Sequence, residues 1–262
     1  MAERTTGRPG TRIAGVGPAV FALTMALLGA LGLLQGTFAA IWQPTPRNVP
    51  ARAIVVYLCA LVSLVSGVGL LWRRTASHAA RLLLAYLLLW WLLFRVPAVV
   101  RAPATQDPWS GCAETTVIVA GAWVLYALLA GRWDRQHLRL ATGDRGLRVA
   151  RVLYGLSSIP FGLAHFAYAH ETAALVPAWL PFHLAWAYFT GCAFIVAGVA
   201  VLAGVRARLA ATLSAVQIGL FTLLVWGPIV VKGPNPFQWS EAVISWTVTA
   251  GAWVVADSYR NV

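Results

Sequence analysis

The chain of 262 residues is 60% hydrophobic and only 11% charged, with a mean hydropathy of +0.73 and a formal charge of +12. Soluble domains carry roughly 25% charged residues, so a water-soluble globular fold is excluded: too few charges are present to cover its surface. Nucleic-acid binding is excluded too, because nineteen of the twenty basic residues are arginines standing mostly at the ends of apolar runs, with no basic stripe of interleaved aromatics.

The apolar runs and their breakers predict spans at 13–40, 51–72, 79–100, 113–131, 148–169, 183–204, 208–231 and 240–257. Each is near the ~20 residues that a 30 Å hydrocarbon core requires. Inside lipid the backbone must satisfy its own hydrogen bonds, so such runs are helices. The expectation is an all-α membrane protein of eight transmembrane helices. The polar segment 1–12, with Arg4, Arg8 and Arg12, reads as an N-tail, and 258–262 as a C-tail. The first apolar run, Ile13 to Trp42, is too long for a signal-peptide core and reads as a retained helix.

Orientation follows from the basic residues. Eight spans leave Arg4, Arg8, Arg12, Arg73, Arg74, Arg81, Arg132, Arg135, Arg139, Arg145, Arg148, Arg151, Arg206, Arg208 and Arg260 on one side. Arg47, Arg52, Arg95, Arg101 and Lys232 fall on the other. Fifteen against five predicts that both termini are cytoplasmic.

The sequence also repeats. Pro46, Pro50, Tyr57, Gly67 and Pro97 match Pro177, Pro181, Tyr188, Gly198 and Pro228 at a constant offset of 131. After one deletion, Trp109-Ser110 falls on Trp239-Ser240, and Ala120-Gly121-Ala122-Trp123-Val124 on Ala250-Gly251-Ala252-Trp253-Val254. Apolar composition alone would match Leu and Val, not Pro, Trp and Gly. Two tandem four-helix bundles are therefore expected, 13–131 and 148–257, joined by a charged cytoplasmic linker at 132–147. Because each has four spans, they share one orientation, as parallel repeats related by an axis along the membrane normal.

The second unit carries Val176-Pro177-Ala178-Trp179-Leu180-Pro181, then Trp186-Ala187-Tyr188-Phe189-Thr190-Gly191, Ala197-Gly198 and Arg208-Leu209-Ala210-Ala211. This pattern resembles the DoxX-like membrane family, whose members are typically one four-helix unit. The first unit keeps only the two prolines of the turn, in Thr45-Pro46-Arg47-Asn48-Val49-Pro50. The resemblance implies a multi-pass protein of a bacterial inner (plasma) membrane. Relatives are linked to quinone-reducing sulfur oxidation and to membrane complexes that handle thiol or oxidative stress, so quinone is the cofactor it admits.

Ionisable groups within spans are costly and mark candidate sites. Gln35, Arg95, Glu114, His165, His183 and Glu241 all fall near the non-cytoplasmic ends of their predicted helices and form a candidate polar pocket. The repeat does not mirror them: His165 falls on Gln35, His183 on Arg52, Arg95 on Trp226 and Glu241 on Gly111. One off-axis site produces that asymmetry, and so does drift after duplication. His165 reads as a quinone-bonding or proton-relay group, or as a histidine bonded to a neighbouring helix. Arg95 either snorkels to the interface or pairs with Glu114 or Glu241. Trp90 and Trp226 lie deeper than the other tryptophans and are candidate cavity linings. Trp42, Trp72, Trp109, Trp133, Trp179, Trp186 and Trp239 read as an interfacial belt.

Cys59, Cys112 and Cys192 have neither disulfide-framework nor metal spacing, and no metal site is expected. Paired inward histidines for haem are lacking. The reading is a non-catalytic membrane subunit or scaffold, partnered by the bilayer and by other membrane or membrane-associated subunits. A quinone-interacting oxidoreductase subunit is the alternative, and a small-molecule carrier the third.

Overall fold

The structure, a computed structural model, describes residues 15–39, 41–44 and 50–261. The predicted N-tail, the start of the first predicted span, the turn Thr45 to Val49 with Pro46 and Arg47, and Val262 lie outside the described residues. Among the described residues the chain is helical, without strands. Eight long helices follow in order: α1 Gly17–Gln35, α2 Arg52–Leu71, α3 Ala76–Arg101, α4 Gln106–Leu129, α5 Gly143–Ala167, α6 His183–Ala203, α7 Ala207–Val231 and α8 Pro236–Ser258. Short helices Arg132–His137 and Ala169–Ala174 lie in the connections.

Among the described residues six helices, α1 to α4, α6 and α7, are long and apolar enough to cross a membrane. The helices α5 and α8 have the length, 25 and 23 residues, but are more polar. The first turns of α5 carry Asp144, Arg145, Arg148 and Arg151. The polar residues of α8 include Ser245 and Thr249, which bond Thr222 of α7 at 2.7 and 2.8 Å, so hydroxyls face a neighbouring helix.

Helix boundaries differ from the apolar runs where capping chemistry overrides hydropathy. The start of α8 lies at Pro236, not 240, because Asn235 and Gln238 form a reciprocal cap at 2.8 and 3.0 Å. Likewise α4 starts at Gln106, not 113, with Asp107 in the first turn, where a carboxylate favours the helix dipole. Part of the predicted linker is helix: Arg132–His137 is one short helix, and α5 already begins at Gly143.

Both α3 and α7 contain a π-helical turn, Trp91–Arg95 and Thr222–Trp226. Each lies just before a proline, Pro97 or Pro228, whose missing N–H breaks the regular ladder. The N–H groups of Val96 and Gly227 reach back to the carbonyls of Trp91 and Thr222, the wider register of a π turn. Similarly, α2 and α6 both begin after a proline and a residue with left-handed φ, Ala51 at 51° and Phe182 at 58°.

The helices pack in chain order as a closed ring, α8 returning to α1, while α8 also crosses α4 through the middle. Core side chains run continuously from Phe21 and Met25 through Leu83, Val117, Ile118 and Tyr154 to Phe194 and Val254. The division of the sequence near residue 140 is therefore not a division of the core. At the central crossing, a Cβ on Gly121 would come within 3.0 Å of the Gly251 Cα. The α1–α2 crossing is tighter: a Cβ on Gly67 would lie 2.3 Å from the Ala26 amide nitrogen, and one on Gly29 at 2.3 Å from that of Leu64. Small residues let helix backbones touch where lipid offers no hydrophobic drive to association.

The arginine-rich end is held by two buried carboxylates. Asp134 accepts from Arg81 Nη2 at 2.6 Å, Tyr126 Oη at 2.9 Å and the Gly131 N–H at 3.2 Å. Asp257 accepts from the Gly17 N–H at 2.9 Å and pairs with Arg260 at 3.2 Å, tying the end of α8 to the start of α1. Nearby, Arg151 Nη2 donates to the Ser258 carbonyl at 2.7 Å, and its guanidinium covers the Tyr259 ring at 3.9 Å.

Two predictions test these contacts. Gly67→Val should lower the unfolding free energy in detergent by about 1–3 kcal/mol or prevent folding, through overpacking. Gly227→Ala, where a Cβ meets nothing within 4 Å, should be neutral or stabilising by up to ~1 kcal/mol. Second, burial opposes ionisation of Asp134, but Arg81, Tyr126 and Gly131 outweigh it and hold the carboxyl below its ordinary value. Its stabilising contribution is then full above the unfolded value of about 3.9 and fades as pH falls through the lower folded one. Asp134→Asn should cost on the order of 1.5–3 kcal/mol at neutral pH and remove that acid-dependent loss, read as denaturation midpoints between roughly pH 2.5 and 7.

Candidate functional site

The end opposite the Asp134 and Asp257 clamps is organised around one backbone carbonyl. After α1, Gly36 adopts φ 61° and its N–H caps the Gly32 carbonyl, turning the chain back. This buries Ile41, Trp42 and Gln43, none more than 3% exposed. Trp42 Nε1 donates to Tyr86 Oη at 3.2 Å. Trp42 is therefore a core residue and not part of the interfacial belt; Trp72, Trp109, Trp133, Trp179, Trp186 and Trp239 are exposed.

The Ile41 carbonyl accepts from Arg95 Nε at 3.0 Å, from Arg95 Nη2, and from Thr115 Oγ1 at 3.1 Å. The π turn of α3 ends at Arg95 and aims it across α4, where its guanidinium lies over Gly111: a Cβ there would meet Nη1 at 2.4 Å. Glu114 stands one turn further along α4, on the face that reaches Gly121 and α8. It lies within electrostatic reach of both Arg95 and Glu241. All three are half-buried. Among the described residues neither Glu114 nor Glu241 forms an ion pair within 4.0 Å; the pairs found are Arg81–Asp134 and Arg260–Asp257.

Of the six predicted pocket residues, the fold thus groups Arg95, Glu114 and Glu241. His165 faces α6: its Nδ1–H donates to the Phe161 carbonyl at 2.7 Å, its ring tilts against Phe194 at 5.4 Å, and its Cβ packs on Gly191. Gln35 is exposed as the last residue of α1, and His183 is half-buried as the first of α6. Among the described residues neither hydrogen-bonds to the charged group.

Trp90 stacks on Phe94 at 5.3 Å and tilts against Phe38 at 5.9 Å. Trp226 packs with Val225 and Ala242 in a small apolar cluster. A cavity of about 10 Å³ lies between α1, α2 and α3, lined by Trp42, Gln43, Cys59, Ser63 and Tyr86. That is close to the ~10–15 Å³ a single water needs, and the buried Gln43 Nε2 has no hydrogen-bond partner among the described residues. Cys59, Cys112 and Cys192 are free thiols. Among the described residues no three His, Cys, Asp or Glu side chains converge as metal ligands.

Compared with known protein families, with curated proteins and with solved structures, the chain matches none.

Sequence reading missed the part played by Ile41, Gly111 and Thr115, because their roles are a carbonyl, an absent side chain and a hydroxyl, none of which stands out in composition. The one signal was the repeat, which sets Gly111 against Glu241. Arg95→Ala should destabilise the detergent-solubilised protein by on the order of 2 kcal/mol, the scale of lost bonds to a charged group. Arg95→Lys should recover at most about half, since an ammonium lacks the fork that reaches one oxygen twice. Full recovery by lysine would mean that charge alone, and not the Ile41 clamp, is what Arg95 supplies.

Proposed function

We propose that this chain is a DoxX-like protein of a bacterial inner membrane, with eight spans in two tandem four-helix units and both termini cytoplasmic. It acts as a non-catalytic subunit or scaffold, embedded in lipid and holding membrane or membrane-associated partners. The observation that carries this reading is the filled centre. The backbones of α4 and α8 meet at Gly121 and Gly251, where a Cβ on Gly121 would come within 3.0 Å of the Gly251 Cα. Arg95, the most conspicuous intramembrane charge, is engaged in fixing the chain after α1. The cavity beside Cys59 has room for about one water, too little for a transported solute.

The tandem arrangement is supported by elements that recur at the offset carrying Pro97 onto Pro228: the π turns Trp91–Arg95 and Thr222–Trp226, and the left-handed helix starts at Ala51 and Phe182. The count of eight is supported by the lengths of α5 and α8 and by the burial of Ser157 and Ser158 on α5 and of Thr247 and Thr249 on α8.

A quinone-interacting oxidoreductase subunit is the second reading. It is favoured by Glu114 and Glu241, two half-buried carboxylates within electrostatic reach of each other and without an ion-pair contact among the described residues, an arrangement able to meet a polar headgroup.

Gentle-detergent purification from native membranes, with a visible spectrum and mass spectrometry of co-purifying lipids and proteins, separates these readings. A stable protein partner with no bound quinone is expected. Bound quinone that is lost in Glu114→Gln or His165→Ala, with the fold retained, would overturn the scaffold reading.

A further inference from the structure

The connection between α4 and α5 holds a feature that the scaffold reading does not use. An open surface depression of about 340 Å³ is lined by Arg135, Arg139, Thr142, Gly143 and Arg145. Three guanidinium groups border it, all from exposed residues. Among the described residues none of the three is in an ion pair. The acids near it in sequence do not neutralise it: Asp134 is buried and committed to Arg81, and Asp144 is a single exposed carboxylate. Arg139 Nε donates to the Gln136 carbonyl at 3.3 Å, a contact that leaves its other donors available.

The start of α5 adds to this field. Its N-cap residue Thr142 does not cap the helix; its hydroxyl donates backwards to the Leu138 carbonyl at 3.1 Å. The first-turn N–H groups beside Gly143 and Arg145 are thus left without a side-chain acceptor, at the positive end of a 25-residue helix. Arginine forks match the paired oxygens of a phosphate.

The surroundings indicate what carries that phosphate. Trp133, Leu138 and Leu140 flank the arginines and are exposed, Leu140 at 72%. Large apolar side chains set among guanidinium groups, at the ends of two long helices, suit the boundary between headgroups and acyl chains. A soluble phosphorylated ligand would leave them in water.

We propose that the depression bordered by Arg135, Arg139 and Arg145 binds the headgroup phosphate of an anionic phospholipid, with Trp133, Leu138 and Leu140 against its acyl region. The bound lipid would brace the connection between α4 and α5, where the first half of the chain passes into the second.

The test is thermal unfolding of the full chain in neutral detergent, titrated with dioctanoyl phosphatidylglycerol, dioctanoyl phosphatidylcholine or inorganic phosphate. Wild type is compared with R135Q/R139Q/R145Q and with R73Q/R74Q/R208Q, which removes the same charge from exposed sites elsewhere. Binding to the folded state raises the midpoint by mass action. Phosphatidylglycerol should raise it in wild type and in the R73Q/R74Q/R208Q control. In R135Q/R139Q/R145Q, half-effect should need roughly tenfold more lipid or more. Phosphatidylcholine should do little. An equal response to phosphatidylcholine, a response surviving in R135Q/R139Q/R145Q, an equal loss in the control, or full reproduction by inorganic phosphate would each overturn the proposal.

Discussion

The structure depends on the contact of α4 with α8 at Gly121 and Gly251. In lipid, helices gain nothing by hiding apolar surface, since the tails are as apolar as leucine; they associate by close packing and hydrogen bonds. Two backbones can approach closely only where side chains are absent. These glycines occupy the same position in the two matching Ala-Gly-Ala-Trp-Val stretches, so one motif meets its own counterpart. Around this crossing the remaining helices close into a ring, and the core passes without a break from one half of the chain to the other.

Polar chemistry is distributed by the same logic. Each buried charge is either engaged at a helix end or set in a group. At one end Asp134 and Asp257 gather donors from distant segments and fix the termini of α1, α3 and α8. At the other, one carbonyl of the chain after α1 collects Arg95 and Thr115. Between these ends the interhelical bonds are made by uncharged groups, such as Thr222 with Ser245 and Thr249, and the Gln217 amide with the Thr190 carbonyl, without isolated charge. The molecule thus keeps its ionised groups near its two ends, where water is accessible and desolvation costs less.

Arg95 shows how far a site can be read in advance. Its cost as an intramembrane charge marks it in the sequence, as does that of Glu114 and Glu241, and Glu114 lies within electrostatic reach of the other two. Beyond snorkelling and ion pairing stands a third acceptor type for its guanidinium, a main-chain oxygen brought in by the turn after α1. His165 was marked by the same rule. It instead turns its imidazole to the carbonyl one turn back on its own helix and packs on Phe194, a bond that any histidine four residues past a carbonyl can make.

By itself the sequence determined the class: long apolar runs with few charges leave the chain no fold but helices in lipid. It also carried the match between the halves, since Pro, Gly and Trp do not recur in register by composition. Tertiary structure alone decided which faces meet. Hydropathy is a property of one residue, whereas the burial of Trp42, the seat of Arg95 on Gly111 and the lining of the arginine depression each depend on segments far apart in the chain arriving at one place. For the same reason the hydroxyls of α5 and α8 gained their partners only once α7 packed beside them, Ser214 bonding Tyr154 and Thr222 bonding Ser245 and Thr249.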